Sequence, residues 1–330
     1  MRNRARLIYN PTSGAETLKK SVPDILNVLE QAGYETSAFQ TTPEPLSAQN
    51  EANRAARDGF DLIIAAGGDG TINEVVNGIA GLKKRPKMAI IPAGTTNDYA
   101  RALKIPRDDP VAAAKIVLKH KAIKMDIGRA NNNYFMNIAA GGMLTELTYH
   151  VPSEIKSIFG YLAYLVKAAE MIPGNHTVPV RLEYDNGVYE GEMSMFLLGL
   201  TNSVGGFEQA APDVSLGDGR FSLIVVKTAN VGELIHLISL ALNGRHVNDP
   251  RILYTKTRKL VVKPKSDEPM KINFDGEYAG DAPMTLVNLQ QHIEIFANVD
   301  AIPKKSLTAG AIADAHAQYM DEMNNILDQK

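Results

Sequence analysis

The 330-residue sequence predicts an α/β domain, a parallel sheet with helices on both faces, followed by an antiparallel β-sandwich-like domain. Three observations carry this. Up to about residue 120, short apolar runs alternate with stretches whose apolar residues recur at helical spacing. Two of the runs, Leu62–Ala66 and Met88–Ile91, open directly into glycine-rich turns and then into further helical pattern. Beyond about Lys121 the pattern changes to many strand-length segments joined by short turns.

In order, Arg6–Tyr9 reads as a strand, Thr17–Ala32 as an amphipathic helix and Thr36–Thr41 as a second strand. A polar helix covers about Ala48–Asp58, and the two strand–turn–helix units follow. Pro110–Lys119 closes this half as a helix with Val111, Ile116, Val117 and Leu118 as its apolar content. Strands are then expected at Lys124–Arg129, Tyr134–Ala139, Val178–Tyr184, Val188–Leu200, Arg220–Val226, Leu253–Lys263, Met270–Asp275 and His292–Ala297. Asp185-Asn186-Gly187 signals a hairpin, with Asn-Gly supplying the φ > 0 pair of a tight turn. Helices are expected at about Ser153–Ile172 and Val231–Asn243. The domains are thus placed at 1–123 and 124–297, with a helix in 298–330 expected to complete the first.

Composition excludes several classes of function. No cysteine is present, which removes disulfides, zinc–thiolate sites and thiol catalysis. The formal charge of −2 argues against whole-molecule attraction to nucleic acid. No apolar run approaches the ~18 residues of a membrane span, and the N-terminus lacks a signal-peptide core. The expectation is a cytoplasmic protein.

The chemistry concentrates in three turns. Gly67-Gly68-Asp69-Gly70-Thr71 follows one strand and precedes a helix. Such a junction turns backbone N–H groups outward and favours anions, while glycine lets the main chain approach a ligand. Gly94-Thr95-Thr96-Asn97-Asp98 repeats the plan, and Asn10-Pro11-Thr12-Ser13-Gly14 ends the first strand. Turns after adjacent parallel strands share one sheet edge, where ligands bind. Asp69 and Asp98 are therefore expected in one crevice. Each turn also has a purely structural reading, and neither the Walker lysine motif nor Gly-x-Gly-x-x-Gly is present.

These three segments, with Asn73-Glu74 after the second, resemble the nucleotide motifs of diacylglycerol kinase catalytic domains. From about Arg4 to Ala297 the chain is similar to the soluble bacterial diacylglycerol kinases, relatives of the sphingosine kinases. The resemblance implies transfer of the γ-phosphate of ATP to the hydroxyl of diacylglycerol, giving phosphatidic acid. It implies ATP contacts at Asn10, Pro11, Thr12, Ser13, Gly14, Thr41, Gly67, Gly68, Asp69, Gly70, Thr71 and Thr95. Asp69 would act through Mg²⁺, and Asp98 and Asp126 match acids that extend the network; Asp126 reads equally well as a strand-start carboxylate.

Phe274-Asp275-Gly276-Glu277 resembles the family's Asp-Gly-Glu segment, which implies Glu277 as general base; without the resemblance it reads as a surface turn. The segment Pro212–Phe221 resembles a structural Mg²⁺ loop, with the Asp218 side chain and the main-chain carbonyls of Ser215 and Arg220 as ligands. Gly217-Asp218 stands where many relatives carry two aspartates, and a plain Asp-Gly turn is the competing reading.

Ser157–Met171, aromatic-rich and flanked by Lys156 and Lys167, reads either as an interfacial helix for peripheral contact with the inner membrane face or as a core helix. No nucleic-acid partner is expected, and a homodimer is left open. Competing functions are a kinase for another lipid, a sphingoid base or NAD, and a non-catalytic lipid- or nucleotide-binding regulator. The presence of both Asp69 and Glu277 argues against the last.

Overall fold

The computed structural model describes residues 2–94, 97–142, 177–202, 214–227 and 244–308, with 233, 236, 237, 240, 241 and 311; of residues 15 and 16 only the backbone is described. The expected helix Ser153–Ile172, with its lysine-flanked segment, lies outside them, as do residues 312–330 of the tail and most of Val231–Asn243. The chain divides into two units, Met1–Asp126 with Ser215–Asp218 and Gln291–Lys330, and Ile127–Val214 with Gly219–Gln290. Residues 215–218 and 291–297, grouped by sequence with the second domain, thus cluster with the first. The reason is pairing. Ile295 registers in parallel with Met88, and Leu216 bridges Leu307.

The first unit begins with β1 (Asn3–Tyr9), α1 (Thr17–Gln31), β2 (Tyr34–Gln40), α2 (Ser47–Arg57), β3 (Leu62–Gly67), α3 (Asp69–Ala80) and β4 (Lys87–Pro92). Short helices α4 (Asp98–Ala102) and α5 (Pro110–Ala114) lead to β5 (Ala122–Ala130), along which the chain enters the second unit. The expected Pro110–Lys119 helix is broken, ending in a 3₁₀ turn at Val117–Lys119. The sheet order is β2-β1-β3-β4, every pair parallel. From β1 the chain steps to β2, then crosses back over β1 to β3. Right-handed crossovers place α1 on one face and α2 and α3 on the other. Every residue of β3 is buried, as a strand covered on both faces requires.

The α2–α3 contact is close. A Cβ on Gly78 would lie 2.4 Å from the Gln49 carbonyl oxygen, and Asn53 Nδ2 donates to the Gly78 carbonyl at 2.8 Å. Under α2, the buried Glu51 carboxylate accepts from Arg6 Nε at 2.6 Å and from Arg54 Nε and Nη2 at 2.8 and 2.7 Å. Burial pushes this carboxyl up, but the Arg54 and Arg6 guanidiniums outweigh it and hold it below its ordinary value.

The second unit continues through β6 (Asn133–Phe135), β7 (Ile138–Gly142), β8 (Val178–Tyr184), β9 (Gly187–Gly199) and β10 (Phe221–Lys227). After β11 (Ile252–Thr257), β12 (Lys259–Pro264), β13 (Met270–Phe274) and β14 (Glu277–Ala282), β15 (Met284–Phe296) carries the chain back into the first unit. The pairings β14-β13-β7-β9-β8-β12 are antiparallel, β10 joins β9 and β11, and β12 joins the first part of β15. Residues two apart, such as Val180 and Leu182, Phe221 and Leu223, or Leu260 and Val262, point into one core. Phe135 lies at its centre, its ring 5.7 Å from that of Phe221 and 4.7 Å from that of Phe274.

Three sequence expectations change here. The strand Tyr134–Ala139 is interrupted at Met136-Asn137, for a reason given below. Leu253–Lys263 is two strands, parted at Arg258, whose N–H donates to the Asp185 carboxylate at 2.8 Å. The hairpin at Asp185–Gly187 forms, but Tyr184 registers with Gly187, so its tip is Asp185-Asn186 and not Asn-Gly.

Candidate active site

The carboxyl edge of the parallel sheet is continued by one more rung of main-chain hydrogen bonds. Asn10 N donates to Ala66 O at 2.9 Å, Thr41 N to Tyr9 O at 2.9 Å, and Ala93 N to Gly67 O at 2.8 Å. These bonds fix the starting points of the turns after β1, β2, β3 and β4 in one row. β1 lies between β2 and β3, so the crossover direction reverses beside it, and that is where open α/β sheets form ligand crevices.

The three turns touch. A Cβ on Gly14, whose φ is +63°, would meet the Ala93 side chain at 3.4 Å. One on Gly94 would lie 2.8 Å from Gly68 Cα and 2.9 Å from Asn97 Oδ1. Only glycine allows this backbone-on-backbone approach at position 94. Gly67 is equally constrained, since its Cβ would fall 2.6 Å from Thr71 Oγ1.

Asn97 clasps the assembly. Buried and left-handed at φ +48°, it accepts from Gly94 N at 3.0 Å through Oδ1 and donates from Nδ2 to Gly94 O at 2.6 Å. Its own N–H donates to Asp69 Oδ2 at 3.1 Å. The motif's Asp69 is thereby held, half-buried, at the first residue of α3. Gly68 stands at the N-cap with no side-chain hydrogen bond to the helix, so no cap side chain covers the first turn of α3. In the first turn, Asn10 Oδ1 accepts from both Thr12 N at 3.0 Å and Thr12 Oγ1 at 2.9 Å, which fixes its curl.

The remaining acids separate by environment. Asp98 is buried at the first residue of α4. Asp126 is buried, and its Oδ1 accepts from Gln291 N at 2.7 Å. Glu74, in the same motif as Asp69, accepts from Ala48 N at 2.9 Å and Gln49 N at 3.4 Å, capping α2. Sequence reading gave neither Glu74 nor Asn97 its own role. An asparagine closing a glycine turn is the signal for Asn97, because asparagine tolerates the left-handed region. Thr95 lies outside the described residues.

In the second unit Glu277 is exposed and opens β14, directly after the two-residue turn Asp275-Gly276. In the proposed metal loop, Asp218 is half-buried and its N–H donates to the Ser215 carbonyl at 3.3 Å. Gly217, at φ +78°, turns the loop there. Ser215 and Asp218 belong to the first unit, and Arg220 is exposed in the second. Among the described residues no group of three histidine, cysteine, aspartate or glutamate side chains is placed to hold a metal.

Comparison with known proteins fits this arrangement. Residues 4–130 match the diacylglycerol kinase catalytic domain, and 145–297 match a C-terminal NAD kinase beta sandwich-like domain. Over 314 residues the chain is 49% identical to a diacylglycerol kinase of Staphylococcus epidermidis, covering 95% of this chain and 98% of the relative. It is 53% identical over 292 residues to that of Bacillus subtilis, covering 88% and 95%. The chain belongs to the diacylglycerol kinase family. A crystal structure of a diacylglycerol kinase from Bacillus anthracis superposes with a TM-score of 0.76 at 29% identity, covering 90% of this chain and 98% of that one. Among the described residues of this family member, no helix is long and apolar enough to cross a membrane.

Proposed function

We propose that this kinase transfers the γ-phosphoryl group of ATP to diacylglycerol, with the nucleotide on the edge built by the turns at 10–14, 67–71 and 93–98. The observation that carries the reading is the clasp: Gly94 against Gly68, and Asp69 held through the N–H of Asn97. The N–H groups of the glycine turns offer partial positive charge to the phosphates. Thr12, Thr71 and the α3 N-terminus would orient them, and Thr41 would line the nucleotide from the β2 turn.

The donor set suits Mg²⁺. Asp69 is a hard oxygen donor, Mg²⁺ is commonly held by one or two carboxylates together with the substrate's phosphates, and Asp98 would extend the acidic network beside it. The ion's contribution, when bound, is neutralisation of charge on the β- and γ-oxygens. A second Mg²⁺ held by Asp218 and the Ser215 and Arg220 carbonyls is a separate proposal, in which the ion tightens the loop. Glu277 is the base. An exposed carboxylate can take the proton of the acceptor hydroxyl once lipid is bound within hydrogen-bond reach, and such a base contributes about 10²–10⁴-fold.

The test is transfer of γ-labelled phosphate from ATP to a panel of diacylglycerol, sphingosine, phosphatidylglycerol and NAD. Label is expected in diacylglycerol; label in NAD or a sphingoid base alone sinks the assignment. Asp69→Asn and Glu277→Gln should each reduce turnover to a few per cent or less with the fold intact. Asp218→Ala should instead weaken the Mg²⁺ response and lower stability.

A further inference from the structure

Two acids lie two positions apart in Asp275-Gly276-Glu277, and the hydrogen bonds give them different work. Asp275 Oδ2 accepts from Met136 N at 2.8 Å, and Oδ1 accepts from Asn137 N and Ile138 N, both at 2.9 Å. The Asp275 N–H donates in turn to Ile138 O at 2.9 Å. One turn residue is therefore tied four times to residues 136–138, the link between β6 and β7 and the first residue of β7. This is why the strand expected over Tyr134–Ala139 is interrupted: the N–H groups of residues 136–138 turn to the carboxylate.

The turn itself has little slack. Asp275 and Gly276 have φ of +51° and +102°, the paired positive values of a tight hairpin turn. Gly276 N donates to Asn273 Oδ1 at 2.8 Å, and Phe274 registers with Glu277. Behind the anchor, Asn137 accepts from Leu200 N at 2.9 Å through its carbonyl and from the Thr201 hydroxyl through its side chain. Asn137, Thr201 and Asn273 are buried, so water does not compete for these bonds.

We propose that Asp275 is the positioning residue for Glu277. Resting on the assignment of Glu277 as base, this deepens it. The Asp275 oxygens are committed to three main-chain donors and hold the hairpin from which Glu277 projects. Taking a proton there would remove the charge that strengthens those bonds. Glu277 is the acid of the pair exposed to an acceptor.

The experiment compares full-length Asp275→Asn and Glu277→Gln with the parent, assayed on ATP and diacylglycerol in mixed micelles and by amide hydrogen exchange at residues 136–138. Asparagine accepts the turn's positive φ but sets an NH₂ group against a main-chain donor. Asp275→Asn should lower kcat about 10–100-fold, as misplacement of a catalytic group does, with KM for ATP unchanged and the acid limb of the pH–rate profile retained. Exchange at 136–138 should accelerate. Glu277→Gln should lose that limb and leave exchange unchanged.

The proposal is overturned if Asp275→Asn loses the acid limb while Glu277→Gln keeps it, or if kcat per folded molecule is unchanged in Asp275→Asn. If Asp275→Asn does not fold, Thr201→Val removes the bond behind the anchor. It should lower kcat several-fold at constant KM for ATP, and an unchanged kcat is then the negative result. Exchange is read without turnover. Unlabelled lipid with the parent protein would therefore defeat the kinase reading, whereas unaltered exchange in Asp275→Asn would defeat the anchor.

Discussion

The two units hold the acids proposed for the reaction by opposite routes. In the parallel unit, Asp69 is positioned by convergence: strands adjacent in the sheet end in turns on one edge, and the turns brace each other through Gly68, Gly94 and Asn97. In the antiparallel unit, Glu277 stands on a single hairpin whose turn is tied to a distant segment through Asp275. In both, a neighbouring acid within the same motif serves the backbone: Glu74 caps α2 and Asp275 binds residues 136–138. A motif's acids therefore cannot be pooled as chemistry. Glu74 and Asp275 spend their oxygens on main-chain donors remote in sequence, whereas Asp69 accepts from the Asn97 N–H within the turn cluster and Glu277 is exposed.

Substitutions can break or sharpen this contrast. The largest loss of stability should come from the antiparallel core. Phe135→Ala removes a fully buried ring stacked on Phe221 and tilted against Phe274, and should cost about 3–5 kcal/mol by chemical denaturation. A cost below ~1 kcal/mol would mean that this core does not depend on its aromatic centre.

Next is Gly94→Ala, whose methyl group would overlap Gly68 Cα. It should cost about 1–3 kcal/mol and weaken ATP binding, read by calorimetry, at least tenfold. Gly68→Ala has extended backbone and meets nothing nearer than 3.5 Å, so it should be milder on both counts. Equal effects would remove the argument that main-chain contact builds the nucleotide edge.

Glu74→Ala uncaps a helix whose N-cap residue, Leu46, makes no side-chain bond, and should cost about 1 kcal/mol. No change in melting temperature would show that Glu74 does not cap α2 in solution.

The smallest effect is one of pH. The folded-state pKa of Glu51 lies below its ordinary value of 4.5, so its contribution is complete above that value and is lost as pH falls through the folded value. Glu51→Gln should flatten the fall of stability on the acid side of pH 4.5. A parallel slope in both proteins would show that the Arg6 and Arg54 pairing does not distinguish folded from unfolded carboxylate.

The parallel unit was the more legible half. Leu62–Ala66 followed by Gly67–Thr71 announces strand, turn and helix within a dozen residues, because every interaction that selects them is local or periodic. The antiparallel unit was read less well where partners are remote. Nothing near Met136 signals the break that Asp275 imposes from 139 residues away. β14, with Glu277, Gly280 and Asp281 in a six-residue strand, has poor intrinsic strand preference and exists because β13 pairs with it. The first part of β15 has a weak local signal for a related reason: Met284 and Leu286 alternate inward, but only over a short run.

What the sequence determined by itself was the pair of fold classes, the three glycine turns and the acids within them, since strand periodicity, helix periodicity and glycine's freedom operate over a few residues. Tertiary structure alone decided which acids the main chain claims, where the second unit's strands break, and that residues 291–296 return to the first unit's sheet. Hydrogen-bond partners and sheet neighbours are chosen in space, between segments whose separation along the chain leaves no local trace.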